Sequence, residues 1–473
     1  MKVSMFECLL DSLLVGLKRR APLIHALRTL ERVDYSPEGR LRHQHINDIL
    51  SVSQTCEGLK ELYFGHSSGL VAEHVKDIFP LALKLDVVSA PGVFDYASGS
   101  GRLCVEVPIT ASDFEPAFLD IERLYNANRL KLLRAVERVE LGDQVLMVLK
   151  TLAAWTDLHM ELLSLDVLDK RGIGVEGCAL LGRMNTMTTL RIGARNQIGA
   201  DGCHALTALS ELTTLHIGDE NVIGPEGCIS GIGIEGCAHL GSMNKLEALH
   251  IGARNQIGAD GCRALKALSE LTTLHIGDEN FIGPEGCISG IGPEGCDHLG
   301  RMIKLKALHI GARNQIGADG CRALKALSEL MTLHIGDENF IGPQGCTELQ
   351  QMGKLTHLHM GGSNQIGADG CHELGKSREL TTLHIGDGNR IDHQGCNGLR
   401  NLRKLTRLHI GRENHIGVGG YGLLRTSRQL KILHIGEGNN IDQQGVEEMD
   451  KELQETFDKE QKGKLPKLKT FIE

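Results

Sequence analysis

Aromatic side chains are scarce in this 473-residue chain: Phe, Tyr and Trp make up 3% of it, and Trp occurs once. Its hydrophobic content of 41% suffices for a core, so Leu, Ile, Cys and Ala must fill that core. No long basic run exists, and the net charge of −9 arises from mixed signs, which excludes bulk nucleic-acid binding. No stretch approaches the ~18 uninterrupted apolar residues of a membrane span. The apolar run from Met1 to Leu17 is broken by Glu7 and Asp11, unlike a secretory leader. Phe6, Leu9, Leu10, Leu13 and Leu17 follow helical spacing and predict an end-capping helix. There is no Asn-x-Ser/Thr acceptor, and none of the 14 cysteines stands in a Cys-x-x-Cys pair. Reduced thiols and a cytoplasmic protein are expected, with the nucleus as the alternative.

What is present is repetition. From Leu162 to Ile435 the chain reiterates Leu-x-x-Leu-His-Ile-Gly-x-x-Asn-x-Ile-Gly-x-x-Gly-Cys-x-x-Leu. The fourth position falls at Leu165, Leu190, Leu215, Leu249, Leu274, Leu308, Leu333, Leu358, Leu383, Leu408 and Leu433, in steps of 25 residues except for two of 34. A fixed period of this length predicts stacked units that bury their apolar sides only against their neighbours.

In one unit, Leu215 and Ile217 alternate with Thr214 and His216, the period of two of a strand with one buried face. Gly218 ends the strand and Asn221 follows in the turn. Gly224-Pro225-Glu226 opens a short helix, with Pro at its first position and an acid in its first turn. Each unit is therefore strand, turn and helix, and successive strands form a parallel sheet with ~4.8 Å between neighbours. Eleven cysteines (Cys178, Cys203, Cys228, Cys237, Cys262, Cys287, Cys296, Cys321, Cys346, Cys371 and Cys396) share one slot, where Tyr421 and Val446 also stand. That pattern is the packing of a small apolar thiol, with no metal or disulfide.

The unit resembles the leucine-rich repeat family, near its ribonuclease-inhibitor, GALA and cysteine-containing subclasses. Asn-Gln-Ile-Gly-Ala-Asp-Gly-Cys-Arg-Ala-Leu (255–265) and Leu-Thr-Thr-Leu-His-Ile (271–276) carry the likeness, which covers residues 159–446. Asn and Ile sit one residue later than in the ribonuclease-inhibitor type. The resemblance implies an α/β solenoid curved into a horseshoe, with the parallel sheet on the concave face and short helices on the convex face. It also implies an Asn ladder running along the turns, from Asn196 to Asn439. Relatives commonly bind proteins, and some are ubiquitin-ligase adaptors or GTPase regulators; residues 1–50 show no F-box.

Three regions are expected. Residues 1–158 carry the N-terminal cap and degenerate repeats, for which Leu-Lys-Glu-Leu-Tyr-Phe-Gly (59–65), Leu27 to Val33 and Leu133 to Leu141 are the candidate strands. Residues 159–446 are the regular repeats, two of which hold a nine-residue duplication (Ile229 to Cys237 and Ile288 to Cys296) that should bulge from, or lengthen, the convex side. Residues 447–473 supply a capping helix, on which Val446, Met449, Leu453 and Phe457 align, and a last strand at 465–471.

Candidate functional residues lie on the exposed strand face. His216, His250, His275, His309, His334, His359, His384, His409 and His434 form one column, headed by Arg191, with neighbours expected about 5 Å apart. Crowded imidazoles could titrate together between pH 5 and 7 or bind metal, so a pH- or metal-responsive binder is an alternative to a plain scaffold. A glycine column from Gly193 to Gly436 should leave a shallow furrow beside it. Next comes an alternating column, Arg195, Glu220, Arg254, Glu279, Arg313 and Glu338, with Asp219, Asp278, Asp337 and Asp387 placed to meet a basic partner. The Gly417, Gly419, Gly422 pattern occupies the ordinary turn-to-helix slot, and Ser98 to Gly101 reads as a surface turn, not phosphate loops. Residues 251–287 and 310–346 are nearly identical, which argues against a unique catalytic site. The expectation is a non-enzymatic, monomeric scaffold for an unidentified protein, using the His/Thr/Gly face, with no cofactor, nucleic acid or membrane.

Overall fold

The computed structural model describes residues 32–35, 59–64, 75–90, 93–155, 159–221, 231–281, 290–459 and 467–472. The predicted N-terminal helix, and residues 27–31 of the Leu27 to Val33 phrase, lie outside them. The chain divides into two compact units, Met1–Gly193 with Ala208–Leu212, and Ala194–Thr207 with Thr213–Glu473.

The first unit contains strands β1 (Arg32–Tyr35), β2 (Glu61–Phe64), β3 (Val87–Ala90), β4 (Phe94–Ala97), β5 (Arg102–Val105), β6 (Leu132–Leu141), β7 (His159–Val167) and β8 (Thr189–Ile192). Its helices are α1 (Val75–Lys84), α2 (Ala111–Asn126), α3 (Val145–Ala154) and α4 (Gly174–Leu181). Neighbouring strands pair in parallel, except that β4 runs antiparallel to both β3 and β5. The 59–65 phrase supplies β2, and 133–141 lies within β6. The β3–β4–β5 meander departs from the strand–helix alternation read for residues 1–158, because its connections are too short to hold a helix. One of them is Ser98 to Gly101, where the Ser98 hydroxyl donates to the Asp86 carboxylate and that of Ser100 to the Ala97 carbonyl. The scarce aromatics gather in this unit: Phe79 meets Phe94 edge-on at 5.3 Å, and Trp155 stacks between Phe118 and Tyr125 at 5.5 and 4.6 Å.

The second unit is regular. It runs α5 (Gly199–Leu206), β9 (Thr214–Ile217), α6 (Gly233–Leu240), β10 (Ala248–Ile251), α7 (Gly258–Leu265), β11 (Thr273–Ile276), α8 (Gly292–Leu299), β12 (Ala307–Ile310), α9 (Gly317–Leu324), β13 (Thr332–Ile335) and α10 (Gly342–Leu349). It continues through β14 (His357–Met360), α11 (Gly367–Leu374), β15 (Thr382–Ile385), α12 (His393–Leu399), β16 (Arg407–Ile410), α13 (Gly417–Arg425), β17 (Ile432–Ile435), α14 (Gln443–Lys459) and β18 (Lys469–Ile472). From β9 to β18 each strand pairs in parallel with the next. Up to β17 Leu faces Leu and His faces His, so Leu249 lies between Leu215 and Leu274, and His250 between His216 and His275. Leu and Ile of each strand are buried while the residues between them stay half-exposed. Helices α6 and α8 begin at Gly233 and Gly292, on the second copy of the duplicated phrase. The first copies, with the helix start expected at Gly224-Pro225-Glu226, lie in residues 222–230 and 282–289, outside the described residues, whereas Gly233 to Cys237 and Gly292 to Cys296 of the expected bulges are helix.

The turn after each strand dictates the chemistry. Arg254, Gln256 and Gly258 take φ of 55°, 60° and 55°, and the same positions are left-handed in most other repeats. A left-handed L-residue costs about 1–2 kcal/mol, so something must hold it there. The holder is the buried Asn between them. Asn255 donates from Nδ2 to the carbonyls of Gly252 and, one repeat back, Gly218, at 3.1 and 3.0 Å. Its own N–H donates to Oδ1 of Asn280 in the next repeat at 3.0 Å. These bonds recur from Asn196 to Asn439, so buried turn amides find partners that a curved turn cannot offer one another.

The helix side is filled by thiols. Cys203, Cys237, Cys262, Cys296, Cys321, Cys346, Cys371 and Cys396 are free and buried, while Cys228 and Cys287 fall outside the described residues. A Cβ on Gly261 would lie 3.2 Å from Cys237 Sγ and 2.6 Å from Ile257, so this glycine admits the thiol of the preceding repeat. Burial pushes Cys262 and Cys321 up to about 12, which keeps them neutral and unreactive. Tyr421 takes the same slot at the end of the series, its hydroxyl donating to Asp450 at 2.9 Å.

Asn314→Ala removes the acceptor of the Asn280 N–H and the donor to the Gly277 and Gly311 carbonyls. Urea unfolding should show a loss of about 2–3 kcal/mol. A loss below about 0.5 kcal/mol would mean that water replaces the side chain and the ladder does not hold the turn.

Candidate functional site

The strand residue between the two buried positions is His in nine consecutive strands, β9 to β17. The imidazoles stack face to face, with ring centroids 3.7 to 4.3 Å apart and planes 6° to 25° from parallel. Identical side chains on strands related by pure translation would keep the strand spacing of ~4.8 Å. Their closer approach requires each strand to be rotated toward the His side, so the sheet of this unit is concave there. Beyond His434 the column ends on Phe471 of β18, at 6.2 Å. Arg191 stands at the equivalent register of β8 in the first unit and reaches toward Asp166 at 4.0 Å.

Stacking half-buries each ring, and the loss of water disfavours the charged form. Burial first, and neighbouring imidazoles second, lower His275, His334 and His384 to about 3 and His309 to about 4. His359 is lowered by burial as well, partly opposed by Asp337. Two expectations change here. Burial outweighs like-charge crowding as the cause, and the four lowest imidazoles stay neutral throughout pH 5 to 7. The near-parallel rings also direct their in-plane lone pairs side by side, so adjacent members of the column do not converge on one metal ion.

The glycine column is not a furrow. Gly252, Gly277 and Gly311 are buried, and a Cβ on Gly311 would lie 2.3 Å from Asp278 Oδ1 and 2.5 Å from the Gly277 carbonyl carbon. Glycine is required because the neighbouring turn already fills that space. The exposed lining is therefore histidine and the adjoining Thr and Ala positions, replaced by His357, Arg407 and Ile432 in β14, β16 and β17, without glycine.

Beyond the glycines lies a charged ladder. Arg254 bridges Glu220 and Glu279 at 2.9 and 2.7 Å, and Arg313 bridges Glu279 and Glu338 at 2.7 and 3.0 Å. Arg195 begins the series on Glu220 at 2.6 Å. Hydrogen bonds from these guanidinium groups hold Glu220, Glu279 and Glu338 below the usual carboxylate range. Asp219, Asp278, Asp337 and Asp387 are exposed, and each accepts the N–H of a residue in the next turn at 2.6 to 2.7 Å. These four aspartates thus tie turn to turn while presenting charge. Asp219, Asp278 and Asp337, the three ladder glutamates, Arg254 and Arg313, and two small residues, Ala253 and Ala312, line a groove of about 390 Å³.

Gly417 and Gly422 are turn and packing residues: Gly417 has φ 66°, and a Cβ on Gly422 would meet Met449 sulfur at 2.8 Å. Missed by the sequence reading was His204 on α5 facing His239 on α6, with Nδ1 atoms 3.3 Å apart. They occupy different positions of their repeats, one and two residues after the cysteine, so no column reveals them. Among the described residues no group of three or more His, Cys, Asp or Glu side chains is arranged to hold a metal, and no helix is long and apolar enough to cross a membrane.

Strand, left-handed turn and short helix, stacked in register on a parallel sheet, make the second unit a leucine-rich repeat solenoid. No known family profile matches the chain, and no curated protein matches it in sequence. Among solved structures it is similar to a chain in the crystal structure of the yeast Rad7–Elc1 complex. That chain shares 14% identity and a TM-score of 0.45, over 65% of this chain and 78% of that one.

The lowered imidazoles set the pH dependence of stability. Their folded pKa values lie below the ordinary 6.5, so their contribution is complete above pH 6.5 and is lost as pH falls toward 4 to 3. Unfolding at pH 5 should take up protons at His275, His309, His334 and His384, and stability should fall from pH 7 to 5. Changing these four to Gln should flatten that slope; an unchanged slope in the variant would place the titration elsewhere.

Proposed function

We propose that this chain is a non-enzymatic scaffold that holds an extended segment of a partner protein along the His face of the second unit. The observation that carries the reading is the flat stack of nine half-buried imidazoles, uncharged at neutral pH in the members that burial lowers most. Such a ribbon offers ring edges to hydrogen bonds at little cost in desolvated charge. Beside it, each Arg of the ladder is matched by acids, so Asp219, Asp278 and Asp337 are the surplus charges.

These aspartates recur on every second strand, which sets them ~9.6 Å apart. A polyproline-II segment advances ~3.1 Å per residue and repeats its side-chain direction every third residue, a step of ~9.3 Å. The partner that fits carries Lys or Arg at every third position, with its intervening residues on the imidazole edges. Ala253 and Ala312 leave room between the acids for the basic side chains.

Fluorescence anisotropy with labelled proline-rich peptides tests this reading. A peptide with Lys at every third position should bind, and its affinity should fall with salt. It should weaken at least about tenfold when Asp219, Asp278 and Asp337 are all changed to Asn, which keeps the backbone acceptor and removes the charge. Equal binding of a peptide with the same Lys content at every second position, or no effect of the Asn changes, would overturn the proposal.

A further inference from the structure

Thirteen of the 22 histidines lie outside the stacked column, and two of them meet on the helix side of the second unit. His204 stands in the last turn of α5 and His239 in the last turn of α6. Their rings are 4.5 Å apart between centroids and tilted by 52°, and their Nδ1 atoms are 3.3 Å apart. His204 is exposed and His239 half-exposed. Packing fixes both helices: Cys203 and Leu206 on α5, and Cys237 and Leu240 on α6, are fully buried next to the two rings in sequence. The Thr207 and Ser242 hydroxyls occupy the His204 and His239 carbonyls at 2.7 and 2.6 Å, which closes each helix end.

The 3.3 Å separation discriminates between coordination geometries. Zinc binds imidazole nitrogen at ~2.0–2.1 Å, so two nitrogens on a tetrahedral ion stand ~3.3–3.4 Å apart. Two cis nitrogens on a square-planar or octahedral ion of similar bond length stand only ~2.9 Å apart. Tilt matters equally. In the column, nearly parallel planes keep the lone pairs from meeting, whereas planes at 52° allow them to converge on a point outside both rings. We propose that His204 and His239 bind one Zn²⁺ through their Nδ1 atoms, in a tetrahedral site open to solvent.

In the metal-free protein one Nδ1 carries a hydrogen that it donates to the other. When zinc enters, that ring shifts its proton to Nε2, so both Nδ1 lone pairs face the ion and both Nε2 atoms are donors to water. Two protein ligands leave two positions for water. Asp201 and Glu235 lie one turn back on the same helices, three and four residues before the histidines, and their charge favours a cation. A site with two open positions is suited to capture a ligand from a second molecule, and it is independent of the peptide face proposed above.

The test uses the untagged full-length chain at pH 7.5 and Zn²⁺ alone. Isothermal titration should show one equivalent bound, weakened at least about tenfold by His204→Ala and equally by His239→Ala, while His309→Ala leaves it unchanged. Co²⁺ in place of zinc should give the intense visible absorption of a tetrahedral ion. The proposal fails if the two variants bind like the parent, if His309→Ala removes the same equivalent, or if cobalt gives only the faint spectrum of an octahedral ion. Circular dichroism of the variants, whose changes are on the surface, separates lost binding from lost fold.

Discussion

Everything in the second unit depends on the need of buried turn amides for partners. A chain that leaves a short strand and enters a short helix within a few residues must pass through left-handed conformations, and Arg, Gln and Glu adopt them here despite the cost. The Asn side chain makes this tolerable because its carbonyl oxygen serves the neighbouring repeat while its amide serves its own turn and the repeat before. The bonds therefore run along the stack as well as within a unit. A single repeat would have no acceptor for the N–H of its turn Asn and only half the bonds of its side-chain amide, which is the physical reason such units exist only in series.

The same stacking determines the electrostatics of the exposed face. Side chains brought close by a sheet that curves inward must be compatible with their own copies. Imidazole is, because it can shed its proton and stack; an acid or a lysine repeated nine times could not. The guanidinium and carboxylate positions solve the problem differently, by alternating. Thus one face carries two bands of opposite character: a neutral one made of like residues, and a charged one made of unlike residues.

Much of this was legible beforehand. The period, the strand at Leu-His-Ile and the buried cysteines follow from residue type and spacing, because in a repeat each error of reading would have to be made many times over; the Asn ladder was implied by the resemblance to leucine-rich repeats. The reading faltered where spacing says nothing of depth. Glycines at 252, 277 and 311 look like open ground in a sequence, yet the neighbouring Asp or backbone already occupies the space beside them. The histidines look like nine titrating groups until stacking is known to bury them. The β3–β5 meander was missed because residues 87–105 lack the repeat, and the His204–His239 pair because it joins two different positions.

The charge alternation sets how the solenoid can change in length. Arg254 has Glu on either side, as does Arg313, so the pattern closes on itself only after two repeats. Losing or gaining one repeat would set arginine against arginine, or seat two carboxylates together; losing or gaining a pair would leave every neighbour as before. The near-identity of 251–287 and 310–346 has this two-repeat offset, which is made of one short and one long step. Where the alternation lapses, at Ser363 and Gly388, the steps become uniformly short. Growth of this protein is in effect quantised, and the quantum is a dipole pair.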